Sequence, residues 1–506
     1  MRLKTRLWLI LVMILGVGFA CQLTSPRPAS WSGTPTARAR ELTSTAIAIT
    51  QGAVPDRDLI VTPTEDLSET NPTPTPLPTQ PPDGPWLVYP SQEGDGISAY
   101  DIDTQRSFDL KLPEPIYWGD LEEGLSPDGQ KLIIRAGLAT ETDQLGLYEI
   151  DLVSAQVKQI TPLLSLVLQR RIVNQEGTRA FDVLEIVTRP DGLDWSPDSR
   201  YLAFSAGLDN LSSDLYIFDS LNRRITRMNG LPTHNANPFW GGNSTRLVSQ
   251  EFARTGSEGG WRAENVTGVN VPEFDNQNTY YVPISKSQGE VFVGWLNAQT
   301  FISYSLTSDG PSTLRQVNSD TFDTSIIQEG SFTTVALDPV SSSLALVLGS
   351  ENGVNQEMVE GVYLLAPGAV DFQLIRGGIW TKLSWEPGGM FLANGPQGLF
   401  AFGSEGEAMA LPNEDWATFS PSGNWMIAWG DGARLYQPPS VYPLQTLTED
   451  QVQVVFWQPD SKGFFIQSDG SIHYLLFPGL SFQKVADGFA RDEPLVMGWM
   501  VPDLDR

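Results

Sequence analysis

The sequence predicts an all-β fold, a β-propeller whose four-stranded blades close into a ring. Three observations predict it: a strand-turn-strand frame recurs along the chain, the residues between copies read as further strands, and the two ends supply complementary pieces of one unit. The best copy of the frame is Leu193 to Ser205, LDWSPDSRYLAFS. In Ser196-Pro197-Asp198, proline fixes φ at the second turn position, while the serine and aspartate side chains bond backbone two residues on.

Nine positions anchor the frame: Leu125, Trp195, Trp240, Trp295, Leu337, Trp385, Phe419, Trp457 and Trp499. Apart from a gap of 70 residues between the first two, the spacings run from 34 to 55, around the ~40–45 residues of a propeller blade. After each anchor comes a second strand, such as Tyr201 to Ser205, and usually a third, such as Leu215 to Asp219, ending on an acidic or turn residue. A more polar fourth strand, as in Gln156 to Thr161, suits an outer edge that must not pair with other chains. No long amphipathic helix appears.

The ends fit together. Trp86 to Leu112 holds strands two to four without an anchor, and Leu495 to Val501 is an anchor without strands. The C-terminal strand is therefore expected to join the N-terminal blade, closing a ring with only short, protected edges. Eight blades are expected, within a range of seven to nine. The 232–330 stretch replaces the proline turn by Gly241-Gly242 and Leu296-Asn297, and reads as containing a decorated or merged unit.

The Trp-Ser-Pro-Asp anchor, the Leu-Ala-Phe second strand and the Leu-Tyr-x-x-Asp third strand resemble the TolB-type, WD40-like propeller repeat. Residues 189–228 carry the resemblance best, followed by 119–161 and 414–485, while 232–330 match poorly; in all it covers about 420 residues. It implies a fold and leaves the activity open. The anchor tryptophans Trp195, Trp240, Trp295, Trp385, Trp457 and Trp499 serve every blade alike, so they are read as packing residues.

Residues 1–20 read as a signal peptide: Arg2, Lys4 and Arg6 precede the apolar run Leu7 to Ala20, too short for a comfortable spanning helix. Cys21, the only cysteine, follows at once. Gly18-Phe19-Ala20-Cys21 resembles the lipobox of bacterial lipoproteins, which implies a lipid on Cys21 and an extracytoplasmic, membrane-anchored location in a bacterial envelope. Pro, Thr and Ser fill 28 of the 63 positions from 22 to 84, so residues 21–84 are expected to form a disordered tether. Its reach is about 45 to 190 Å, from coiled to extended.

Charge narrows the partners. The chain carries a net charge of −28, all of it in 85–506, which repels phosphate backbones and makes nucleic acid an unsuitable partner. Chemistry is sparse: the two histidines, His234 (expected in a loop) and His473 (expected in a third strand), make no cluster, and no Gly-x-Ser-x-Gly turn occurs. No catalytic residue, metal ligand set or cofactor is assigned. Asp95, Asp101 and Asp103, or Asp209 and Asp214, leave room for a structural calcium ion, although aspartates ending a third strand are more simply turn residues.

Function is expected where the frame breaks. An insertion at about 162–187 adds apolar runs, Leu163 to Leu168 and Phe181 to Val187, read as an extra hairpin or partner-binding flap, with Arg170 and Arg171 giving it a local positive charge. Trp261, Tyr280 and Tyr281 lie outside the repeat and are further binding candidates, as are Trp118, Trp380 and Trp416. The expected role is a monomeric binding or scaffold module for an envelope protein, peptide or glycan. A propeller hydrolase or lyase acting on polysaccharide or peptide is the alternative, and predicts carboxylates converging on the central channel.

Overall fold

Among the described residues, nine antiparallel sheets follow one another along the chain, eight of four strands and one of three. The computed structural model describes residues 85–501 apart from 140–144, 210, 229–232, 256–259, 271–278, 282–288, 307–311, 322, 339, 350–358, 404–407, 412–413 and 492. Blade 1 contains Trp86–Pro90, Gly96–Asp101 and Arg106–Lys111, and its innermost strand is Gly498–Met500, in register Trp86↔Met500, Leu87↔Trp499 and Val88↔Gly498. The C-terminal strand thus closes the ring on the N-terminal blade, as the complementary ends predict.

Each anchor lies at or next to the end of an innermost strand: Leu193–Trp195 in blade 3, His234–Trp240 in blade 4, Gly289–Trp295 in blade 5, Phe332–Leu337 in blade 6, Lys382–Glu386 in blade 7, Glu414–Phe419 in blade 8 and Val452–Trp457 in blade 9. Blade 2 is the exception. There a short helix α1 (Asp120–Glu123) takes the place of the inner strand, and Leu125 keeps only a single bridge to Leu132.

The expected eight blades are nine. The 232–330 stretch is two complete four-stranded blades, 4 and 5. Proline is dispensable to the turn: Gly241 N–H donates to Arg246 O (2.7 Å) and Ser244 N–H to Gly241 O (3.0 Å), as Ser196 does to Tyr201 (2.7 Å) and Ser199 to Ser196 (2.8 Å). Ser244 and Ser199 hold the same left-handed φ, 56° and 60°. The hydrogen bonds define the unit, and a sequence pattern keyed to proline understates it.

Period-2 alternation holds the ring together. In the third strand of blade 3, Asp214–Asp219, Tyr216 and Phe218 pack toward blade 2 while Leu215 and Ile217 pack toward blade 4. In blade 1, Trp86 and Val88 face blade 2, while Leu87 and Tyr89 face blade 9. The same division gives each of the nine blade junctions its own apolar cluster. Outer strands such as Arg106–Lys111 and Phe482–Asp487 are largely exposed and polar, which protects the edges.

Antiparallel order sorts the connections onto two faces. The tight turns after the inner and third strands lie on one, called here the turn face; the loops after the second and fourth strands lie on the other, the loop face. Trp86 starts a second strand, so the N-terminal segment enters on the turn face. The 162–187 insertion joins blade 2 to blade 3 and lies on the loop face.

Candidate functional site

The insertion is helical: α2 (Leu166–Val173) and α3 (Thr178–Val187) pack against each other. This corrects the expected strand hairpin. Leu164, Leu168 and Ile172, and likewise Ala180, Val183 and Val187, recur at helical spacing, and all six are buried against blades 2 and 3. Ser165 caps α2, its hydroxyl accepting from Leu168 N–H at 3.4 Å, and Gly177 at φ 76° turns the chain into α3.

The cap sits close to blade 3. A Cβ at Gly207 would meet Val183 Cγ1 at 2.5 Å and Leu168 Cδ1 at 2.8 Å, so only glycine permits this approach. On blade 4, Arg254 holds α3 through Asp182 (2.6 Å) and Glu185 (2.8 Å) while its guanidinium lies 4.6 Å from the centre of the Trp261 ring. Ile186 packs with Phe252 and Trp261. His234, which starts the inner strand of blade 4 and is not in a loop, meets Trp261 edge-on at 5.3 Å; burial lowers its pKa to about 4.

Under the return of the cap lies a buried charged cluster. Asp120 of α1 receives Arg135 Nε (2.7 Å) and Nη2 (2.5 Å), and Arg135 Nη1 donates to Val187 O at 2.7 Å. Gly192 must lack a side chain, since a Cβ would lie 2.4 Å from Arg135 Nη1. Glu123 shares a hydrogen bond with Asp191, and burial, followed by the Asp191 charge, raises its pKa well above the ordinary range. This cluster fastens the cap to blade 2.

Other buried carboxyls near the ring's interior act as links between or within blades. The Asp194 carboxyl accepts Trp240 N–H at 2.6 Å, and burial pushes its pKa to about 8. Glu386 accepts Phe419 N–H and Thr418 Oγ1 at 3.3 Å each, and burial raises it to about 7. Glu290 is held by Ser303 and Arg315, and Glu414 by Arg434 and Tyr436. Each of these four groups is engaged by backbone or side chains of the blades.

The sequence candidates separate accordingly. Arg170 and Arg171 stand on the last turn of α2, the first exposed and the second half-buried. Trp261 is 7% exposed and supports the cap from below. Tyr280 and Tyr281 belong to the short outer strand Thr279–Tyr281 of blade 4, opposite Gly268 and Thr267. Trp380 is buried, Trp118 is half-buried, and Lys382 lies 4.6 Å over the Trp416 ring. Cys21 lies outside the described residues. What sequence reasoning missed is the outward strip of the cap, Leu166, Val167, Phe181 and Arg179; the helical spacing of its buried partners was the available signal.

The anchor tryptophans pack in the blade junctions. Trp195 Nε1 donates to Gly124 O (2.7 Å), Trp240 to Asp194 O (3.0 Å), Trp295 to Phe239 O (3.2 Å) and Trp385 to Ala336 O (3.1 Å). In each case the acceptor is the residue just before the anchor of the preceding blade. Asp101 and Asp219 accept backbone N–H groups two and three residues on, the turn role. Asp95 pairs with Lys111, while Asp209 and Asp214 share Arg227. Among the described residues no group of three or more His, Cys, Asp or Glu side chains has metal-binding geometry. On the turn face, a cavity of about 110 Å³ between Trp86, Lys131, Glu149, Arg223 and Met500 is small beside the ~300–1,000 Å³ of ordinary ligand pockets.

No protein-family model matches the chain, and no curated protein sequence does. Solved structures are similar in shape. A structure of a eukaryotic initiation factor aligns over 82% of this chain and 98% of its own, with a TM-score of 0.52 and 11% identity. Dipeptidyl peptidase 4 of Porphyromonas gingivalis aligns at a TM-score of 0.47 and 12% identity over 78% of this chain, which spans 64% of the peptidase's length. TolB from Acinetobacter baumannii aligns at a TM-score of 0.30 and 12% identity, over 65% of this chain and 63% of its own. At 11% identity, what the chain shares with the initiation-factor structure is the fold alone.

Proposed function

We propose that the chain is an extracytoplasmic binding propeller, held at a membrane by a lipid on Cys21, that engages a protein, peptide or glycan of the cell envelope. The observation that carries the reading is the helical cap. It departs from the blade frame, it is fixed to three blades by buried contacts, and it turns an apolar and cationic strip outward. A rigid, elaborated loop on a repetitive scaffold is where a binding surface is built.

The tether geometry agrees with this role. The N-terminal segment enters at Trp86 on the turn face and the cap stands on the opposite face, so attachment through the N-terminus leaves the cap uncovered by the point of entry. The carboxyls on the inner strands favour binding over hydrolysis, because Asp194 and Glu386 link neighbouring blades and Glu414 is bound by Arg434 within its own blade.

Metabolic labelling with an alkyne fatty acid tests the anchor. Label on the wild-type chain that disappears in Cys21→Ser supports it, whereas equal labelling of both, or label on neither, sinks it. Loss of the envelope phenotype in a Leu166→Asp/Phe181→Asp variant of unchanged melting temperature supports the binding role.

A further inference from the structure

We infer that Glu123 and Asp191 form a pH-operated latch: while they share one proton the return of the cap is held to blade 2, and when that proton leaves the two carboxylates part and the return opens. The return, residues 188–192, runs from the end of α3 at Val187 to the inner strand of blade 3 at Leu193. Asp191 stands near its end, and Glu123 is the last residue of α1, which replaces the inner strand of blade 2. Two carboxyl groups at hydrogen-bonding distance need a proton between them, because a pair of ionised carboxylates offers acceptors only and repels.

The surroundings supply no substitute for that proton. Arg135 of the second strand of blade 2 spends Nε and Nη2 on Asp120 and Nη1 on Val187 O, and Tyr117, kept neutral by burial, lies against it. Arg189, also in the return, lies 4.6 Å over the Phe252 ring of blade 4, and Asp194 on the adjoining inner strand holds Trp240. Glu123 Oε2 is buried and has no hydrogen-bond partner among the described residues. Loss of the proton therefore leaves the carboxylates of Asp120, Glu123 and Asp191 around the single guanidinium of Arg135, with Glu122 adding to the negative charge of α1.

Two features ready the return to move. Asp191 holds a left-handed φ of 60°, which a residue other than glycine keeps only at a cost. Glu123 and Asp191 are half-buried as residues, so the proton has a short way to solvent. The sign follows from the direction of the shift. Burial, then the Asp191 charge, holds Glu123 above the ordinary carboxyl range, so its contribution is full in acid and is lost as pH rises through the raised value. The latch is closed in acid and open in alkali. Arg254 and the apolar side of the cap keep α2 and α3 on the blades, so the opening is confined to the return. Its bearing on binding rests on the reading of the cap as the binding surface; the latch itself does not.

The test is amide exchange of the full-length chain at pH 6 and pH 9, each rate divided by the intrinsic rate at that pH. The reporters are Thr188 N–H, donating to Leu184 O at 3.1 Å, and Arg189 N–H, donating to Ile186 O at 3.2 Å. Their protection should fall on the order of tenfold between the two pH values, while the strands of blades 6 to 9 keep theirs. Glu123→Gln and Asp191→Asn each replace the shared proton by a permanent amide donor, and asparagine tolerates the left-handed φ. Either variant should hold the return closed at both pH values. Unchanged protection in the wild-type chain, a loss shared equally by blades 6 to 9, or the same loss in both variants overturns the inference. Asp194 is intact in both variants, so it cannot account for a pH dependence that they abolish. No ligand enters the measurement, so failure of the latch is distinguishable from failure of the binding role, which the Leu166→Asp/Phe181→Asp variant tests.

Discussion

Trp240 and Asp194 are joined twice: the indole nitrogen of Trp240 donates to Asp194 O at 3.0 Å, and the Asp194 carboxyl accepts Trp240 N–H at 2.6 Å. The pair spans the junction of blades 3 and 4. It shows why the repeat keeps tryptophan at its anchor. A phenylalanine fills the same gap between blades, but only tryptophan also reaches the preceding blade's backbone.

Trp457 provides the contrast. It is as buried as Trp240, at 3% against 1%, yet its Nε1 has no acceptor among the described residues. Trp240→Phe therefore removes apolar area and a hydrogen bond, while Trp457→Phe removes area alone. Trp240→Phe should cost about 1–2 kcal/mol more in urea unfolding. Equal losses would show that the indole bond contributes nothing net.

The Asp194 carboxyl sets a pH dependence of definite sign. Its folded pKa of about 8 lies above the ~3.9 of an unfolded aspartate, so the unfolded chain gives up the proton first as pH rises. Stability is fullest below ~pH 4 for this group and falls as pH climbs toward 8. Asp194→Asn keeps an acceptor for Trp240 N–H without titrating. Melting temperatures taken from pH 5 to 8 should decline less steeply in the variant; parallel curves would remove Asp194 as the source.

The ring was legible because it is written many times. Tyr216 and Leu215 point to opposite neighbours through strand alternation, and the same alternation recurs in every blade. The cap occurs once, so no repetition corrected the reading of Leu163 to Leu168 as strand. Within that run Leu168 is the one buried leucine that lies in the helix, since Leu164 bridges Gly207, and the helical period becomes clear only when Ile172 is added. The role of Trp261 was hidden for another reason: an aromatic outside the repeat reads as free for ligand, and nothing local in the sequence says that Ile186 and Arg254 cover it. Asp194, next to an anchor, gave no sign of its link to a backbone 46 residues on.

Arg254 should govern the cap more than the ring. Its guanidinium meets Asp182, Glu185 and the Trp261 ring, and the ion pairs are partly exposed, so their strength is reduced by solvent. Arg254→Gln should weaken the local hold by about 1–2 kcal/mol. Amide exchange in α2 and α3 should then quicken on the order of tenfold, while the strands of blades 6 to 9 keep their protection. A uniform rise across all blades would mean that cap and ring open together.

Closure gives the last prediction. Met497, Trp499 and Met500 are 2%, 5% and 3% exposed, and the strand that carries two of them is the innermost of blade 1. Ending the chain at Glu493 removes this strand, uncovers the pairing edge of Trp86–Pro90 and opens the junctions of blade 1 with blades 9 and 2. At ~1.5–3 kcal/mol for each large apolar side chain, the loss is about 5–9 kcal/mol, comparable with the whole stability of a domain. The truncated chain should lose its cooperative melting transition, and a synthetic peptide of residues 494–501 added in excess should restore it by pairing with Trp86–Pro90. If the truncated chain melts cooperatively at the full-length temperature, the blades stand without closure and the array behaves as an open solenoid, each blade stabilised by its neighbours alone.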